Sequence, residues 1–73
     1  MKTRSPKLIW FYVRWCAHCR TFIHTFEKLK TQYPEVEFVA CDCEKNTSLQ
    51  HEFGVHKYPT LYIYKNGKFK KLD

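Results

Sequence analysis

Lys7-Leu-Ile-Trp-Phe-Tyr-Val-Arg-Trp-Cys-Ala-His-Cys19 is the stretch on which the fold turns. Lys7–Val13 is a continuous apolar run rich in aromatic and β-branched residues, which reads as a buried strand, central and parallel. The period changes directly after it. Phe22, Ile23, Phe26 and Leu29 recur at three- and four-residue spacing, one face of a helix, and Cys19 lies on the same stripe. The two cysteines therefore sit where a strand gives way to a helix. Pro34 ends that helix, and Tyr33 before it is pushed toward an extended conformation.

Downstream, Val36–Cys41 reads as a second strand. Asn46 or Thr47 caps a short helix that runs to Phe53, with Gly54 as its terminator. Pro59 precedes a third strand, Thr60–Tyr64. Asn66-Gly67 is a strong two-residue hairpin signal, and Lys68–Leu72 is the returning fourth strand. A helical crossover makes the first two strands parallel. The hairpin makes the last two antiparallel. The expected architecture is one α/β domain over residues 1–73, with a mixed sheet in the order β-α-β-α-β-β and no repeat or linker.

Composition limits the alternatives. With 73 residues the core is thin, since folding at this size buries only about 60% of the unfolded chain's surface. Apolar residues at 44% and aromatics at 18% exclude a disordered chain. The formal charge of +6 comes from scattered basic residues, the densest being Lys65, Lys68, Lys70 and Lys71. Such a cluster reads as a solvated strand-and-turn face, so no nucleic-acid partner is expected. No apolar stretch is long enough to span a bilayer, so no membrane partner is expected either. The run Leu8–Val13 is too short for a signal peptide, and no small-residue cleavage site follows it.

Four cysteines form two tight pairs, Cys16/Cys19 and Cys41/Cys43. Tight pairs point to redox or metal chemistry instead of a loop-stapling framework. At a helix N-terminus, unpaired backbone N–H groups and the macrodipole favour negative charge. A Cys16 thiolate is stabilised there, and a protonated His18 and the neighbouring Arg14 add positive charge beside it. Cys16 is thus the expected exposed attacking thiol. Cys19, one turn on, is the expected buried resolving thiol. The bland reading of Cys16 and Cys19 is a structural clip or a metal knuckle.

Phe11-Tyr-Val-Arg-Trp-Cys-Ala-His-Cys-Arg20 resembles the active-site segment of protein disulfide isomerase-type thioredoxin domains, whose usual pattern is Phe-Tyr-Ala-Pro-Trp-Cys-Gly-His-Cys-Lys. Tyr58-Pro59-Thr60 is similar to the family's second motif, and Gly54-Val55 and Asn66-Gly67 fit its course. The resemblance runs from Leu8 to Leu72. It implies a thioredoxin-like fold and thiol–disulfide exchange with protein or peptide substrates. Cys16, Cys19 and His18 would be catalytic, with Trp15, Tyr58 and Pro59 at the substrate. It also implies a cis bond before Pro59, which would lie against the cysteines. No cofactor and no metal are implied. The isomerase-like motif favours the endoplasmic reticulum lumen or another secretory compartment, with the cytoplasm as alternative. Nothing in the sequence indicates an oligomeric state.

The departures carry expectations too. The family buries an acidic residue six positions before its first cysteine, as proton acceptor for the resolving thiol. Trp10 stands there, with Asp42 and Glu44 as candidates to replace the acid. Release is therefore expected to be slow, and Trp10→Glu to speed it. His24 stands where members carry a helix-kinking proline, and reads as a partly exposed helix residue. The family's first strand and helix and its closing helix have no counterpart. The chain then reads as a fragment, as a domain that packs on a partner, or as a compact member. Leu61 and Ile63, or Tyr62 and Tyr64, would be left as an exposed apolar patch.

Cys41 and Cys43 are expected as two reduced thiols, because a disulfide between residues two apart in a strand is strained. Two rival readings complete the field. One is a zinc module using Cys16, Cys19, Cys41 and Cys43. The other is a catalytically weak thioredoxin-like binding domain.

Overall fold

The computed structural model describes residues 6–72. The expected domain bounds of 1–73 extend onto residues 1–5 and 73, which lie outside the described residues. The elements are β1 (Lys7–Tyr12), α1 (Ala17–Gln32), β2 (Glu37–Asp42), α2 (Thr47–Phe53), β3 (Thr60–Lys65) and β4 (Lys68–Leu72). The expected order holds. The sheet order is β2-β1-β3-β4, so β1 is central. It pairs parallel with β2 but antiparallel with β3. The all-apolar run revealed burial on both faces, and half of its expected parallel character is corrected by the returning chain.

Alternation along β1 separates two aromatic clusters. On the α1 side, Trp10 meets Phe22 at 5.2 Å and Phe26 at 4.9 Å between ring centroids. Phe26 in turn meets Phe38 of β2 edge-on at 5.5 Å. On the other side, Phe11 is fully buried against Phe53 of α2 at 5.1 Å and Tyr62 of β3 at 5.9 Å. Each buried aromatic removes about 150–250 Å² from water, worth several kcal/mol at roughly 25 cal/mol per Å². The ion pairs Lys7–Glu37 and Lys30–Glu27 are exposed and long, at 4.0 and 3.8 Å. Such pairs contribute about 0–1 kcal/mol, so aromatic packing holds this fold.

Turn chemistry fixes the ends. Tyr33 leaves the helical region at φ −126°, ψ 71°, and its N–H still reaches the Leu29 carbonyl at 2.9 Å. Gly54 closes α2 at φ +64°, a left-handed position that disfavours a side chain. Asn46 is the N-cap of α2, without a side-chain capping bond. Asn66 and Gly67 both take positive φ, 55° and 78°, as a tight hairpin with right-handed strand twist requires.

Two expectations need correction. Ile23 belongs to the helical stripe by spacing, yet it is 44% exposed, because α1 buries Cys19 and Phe26 and turns Ile23 to its flank. Leu61, Tyr62, Ile63 and Tyr64 are all half-buried, not an exposed patch. Tyr62 packs on Phe53, and Tyr64 on Phe69 at 4.7 Å. Leu61 and Ile63 lie beside Trp10 and Leu8 in register. The exposed apolar side chains of this sheet are Phe69 and Leu72, on β4. His24 is exposed on α1, as expected. Among the described residues no helix is long and apolar enough to cross a membrane.

Candidate active site

Cys16 is the N-cap of α1, with an extended backbone at φ −84°, ψ 119°. Its Sγ accepts the Cys19 backbone N–H at 3.3 Å, so the sulfur takes the place a capping oxygen fills elsewhere. Sγ–H in turn points to the Tyr58 carbonyl at 3.6 Å. The Cys16 pKa is lowered from its ordinary 9.0, first by the Cys19 thiol donating to it, then by the backbone N–H groups of Cys19 and His18. Burial works against this and is outweighed. His18 thus acts on the thiol through its backbone N–H, where the sequence pointed to its protonated ring. Cys16 is also less open than expected, at 9% exposure, because the segment carrying Tyr58 lies over it.

Cys19 is 2% exposed. Burial, then the hydrogen bond to Cys16, push its thiol up to about 11. The two sulfurs are driven apart in acidity: one favours thiolate, the other holds its proton.

The Tyr58–Pro59 bond is cis. Together with His18, Thr21, Phe22 and Thr25, Tyr58 and Pro59 line an open groove of about 400 Å³ beside the cysteines. Trp15 is 69% exposed and meets the Tyr58 ring edge-on at 6.3 Å. Cys16, His18, Cys19, Trp15, Tyr58 and Pro59 are therefore brought to one place.

Sequence reasoning missed the support behind Tyr58. Gln50 of α2 donates from Nε2 to the Tyr58 hydroxyl at 3.0 Å and to the Val55 carbonyl at 3.2 Å. The Cys43 side chain also meets that hydroxyl, and Cys41 and Cys43 meet each other. Thr60, buried, donates from its hydroxyl to the Lys57 carbonyl. Nothing marks Gln50 in the sequence, since a glutamine on a short polar helix reads as surface.

Trp10 occupies the floor under Cys19, 3% exposed, with its indole Nε1 buried and without a hydrogen-bond partner. A largely apolar cavity of about 250 Å³ lies there, lined by Trp10, Tyr12, Val13, Arg14, Cys19, Arg20 and Ile23. Neither Asp42 nor Glu44 lines it. The carboxylate of Asp42 instead accepts the backbone N–H of Glu44 at 3.0 Å, in a turn after β2.

All four thiols are free and buried, Cys41 at 4% and Cys43 at 2%. Burial raises the Cys41 thiol to about 11 and also raises that of Cys43. Among the described residues no three of His, Cys, Asp and Glu converge in a way that could hold a metal ion. The zinc reading of Cys16, Cys19, Cys41 and Cys43 lacks the geometry it needs. The two pairs end on different elements, with Tyr58 between them.

A thioredoxin family profile matches residues 1–73. This chain belongs to the thioredoxin family. It is 35% identical over 71 residues to the probable protein disulfide-isomerase ER-60 of Schistosoma mansoni, covering 92% of this chain and 15% of that protein. It is 31% identical over 58 residues to Thioredoxin-1 of Schizosaccharomyces pombe, covering 80% of this chain and 56% of that one. Mitochondrial thioredoxin 3 from Saccharomyces cerevisiae, solved in its oxidized form, superposes with a TM-score of 0.90 at 32% identity, over 99% of this chain and 69% of that one. The chain thus spans between 15% and 56% of the two curated relatives' length. The thioredoxin fold seen here comprises the four-stranded mixed sheet and two helices.

Proposed function

We propose that this chain exchanges disulfides with protein or peptide substrates through Cys16 and Cys19. The observation that carries the reading is the N-cap geometry: Cys16 Sγ accepts a helix N–H and lies 3.6 Å from the Tyr58 carbonyl next to the cis Tyr58–Pro59 bond, while Cys19 stays buried one turn on.

The steps balance without an outside reagent. The Cys16 thiolate attacks one sulfur of a substrate disulfide. That S–S bond breaks, a Cys16–substrate disulfide forms, and the departing sulfur takes up a proton. Cys19 then loses its proton and attacks Cys16 Sγ. The Cys16–substrate bond breaks as the Cys16–Cys19 disulfide forms, and the departing substrate sulfur takes up the proton that Cys19 gave up. The dithiol of the protein is oxidised as the substrate disulfide is reduced, and the reverse sequence installs a disulfide. Trp15, Tyr58 and Pro59 would hold the substrate chain across the groove.

The finer reading is a disulfide isomerase or oxidase of a secretory compartment. It is supported by the histidine between the cysteines and by similarity to proteins named disulfide-isomerases in Schistosoma mansoni and rice. Plain thioredoxins among the relatives support a reductase instead. The reduction potential separates them: about −180 mV for the isomerase class and about −270 mV for thioredoxin.

Insulin reduction tests the core claim. Cys16→Ser should abolish activity, and Cys19→Ser should trap a mixed disulfide. Full activity in Cys16→Ser would sink the proposal. A weak binding domain is the second reading, favoured by Trp10 beneath Cys19 in place of an acid. It predicts mixed-disulfide formation with little turnover.

A further inference from the structure

Two arginines flank Cys16 in the sequence, and among the described residues neither forms an ion pair. Arg14 lies two positions before Cys16, and Arg20 one helical turn after it, with its N–H on the Cys16 carbonyl at 3.2 Å. Both side chains are exposed. Together with Trp15 and Glu44 they line an open hollow of about 560 Å³, tied to the site through Trp15, which precedes Cys16 and meets the Tyr58 ring. Among the described residues the ion pairs are Lys7–Glu37 and Lys30–Glu27, so neither arginine is neutralised, even by the Glu44 carboxylate in the same hollow. Formally the hollow carries two positive charges and one negative. Its floor offers Trp15, the most exposed large apolar side chain described.

We propose that this hollow selects substrates whose reactive cysteine is flanked by acidic residues, an Asp- or Glu-bearing peptide segment laid over Trp15 with its carboxylate between Arg14 and Arg20. The inference rests on the disulfide-exchange reading and names its substrate class. A planar guanidinium matches a carboxylate with two parallel hydrogen bonds, which lysine at either position would not supply. An indole face beside it covers the peptide's apolar stem. The neighbouring hollow at Trp10 shares both arginines but is apolar, so the charge recognition falls on the Trp15 side. Because the contact is exposed, it acts on encounter and binding more than on the chemical step.

The test uses three disulfide peptides identical except for Glu, Gln or Lys on both sides of the reactive cysteine. The Glu peptide should show a kcat/KM about fivefold above the Gln peptide, the effect of about 1 kcal/mol for an exposed pair. The Lys peptide should fall below both. The ratio should approach one between about 0.01 M and about 1 M salt, as the screening length falls from about 30 Å to about 3 Å. Arg14→Gln with Arg20→Gln should abolish the ratio, and Glu44→Gln should raise it. Lys68→Gln with Lys70→Gln, the same change of charge on β4, should leave it in place. Equal rates for the three peptides overturn the inference and leave disulfide exchange standing. Loss of the ratio in the β4 variant overturns it as well, since net charge would then be the cause. Failure to reduce any of the three overturns the exchange reading and this inference with it.

Discussion

Replacing Cys19 with alanine removes the thiol that does most to favour the Cys16 thiolate, and leaves the backbone N–H groups in place. The Cys16 pKa should then rise, read from the pH dependence of its alkylation by iodoacetamide. An unchanged profile would mean that the helix terminus alone sets its acidity. Cys19 predicts the opposite limit. Burial, the largest cause of its value of about 11, persists once Cys16 is tied to substrate. The release step should therefore speed up about tenfold per pH unit from neutrality toward pH 11, since only thiolate attacks. A plateau near pH 7 in single-turnover release would show a proton acceptor other than the described residues that line the cavity at Cys19. Trp10→Glu, attractive on sequence grounds, is compromised here. The Trp10 ring stacks on Tyr12 and meets Phe22 and Phe26, so its loss costs about 3–5 kcal/mol. Cys16 and Cys19 were legible as residues because their spacing is local, whereas Pro59 was legible only through the resemblance carried by Tyr58-Pro59-Thr60. The half-closed state of Cys16 was not, because it depends on a carbonyl 42 positions away.

Element boundaries follow turn chemistry, and that is where a single glycine can be tested. Gly54 ends α2 at φ +64°, and its N–H bonds the carbonyls of Gln50 and His51. An added Cβ meets no atom within 4 Å, so the cost of Gly54→Ala is backbone strain alone. The variant should lose about 1–2 kcal/mol in urea unfolding, with no change in the Cys16 alkylation profile. The same terminator was readable in sequence, as were Asn66-Gly67 and the stop at Pro34. Sheet partners were not. Residues Lys7–Val13 announce burial on both faces, but apolarity carries no direction, so the antiparallel β3 on one side was invisible. Ile23 shows the same limit on a helix: spacing places it on the stripe, while the width of the sheet beneath decides what is covered. Gln50 is the remaining case, a helix side chain whose meaning comes only from the Tyr58 hydroxyl eight residues on.

At the scale of the whole molecule, the buried thiols make stability depend on alkaline pH. Cys19 and Cys41 are both raised to about 11, above an unfolded value near 8.5, so the folded state holds their protons more tightly. Their contribution is complete below about pH 8.5 and is lost as pH rises through about 11. Stability read from urea unfolding should fall steadily over that window, by on the order of 3 kcal/mol for each thiol. Cys41→Ala should flatten the fall, and a midpoint equal at pH 8 and pH 11 would contradict the burial of these groups. Cys43, Tyr12 and Tyr58 are shifted in the same direction and add to it.

The last strand has a consequence of another kind. β4 runs Lys-Phe-Lys-Lys-Leu, every residue of it exposed, at the rim of the sheet beyond β3. A rim of unpaired peptide groups invites a further strand, and an exposed phenylalanine makes the invitation stronger. Three ammonium groups in the same five residues oppose it, because a second copy brought alongside would set like charges against like. Acetylating those lysines should remove that guard, and fibrils or higher oligomers should then appear at concentrations where the unmodified protein stays dispersed.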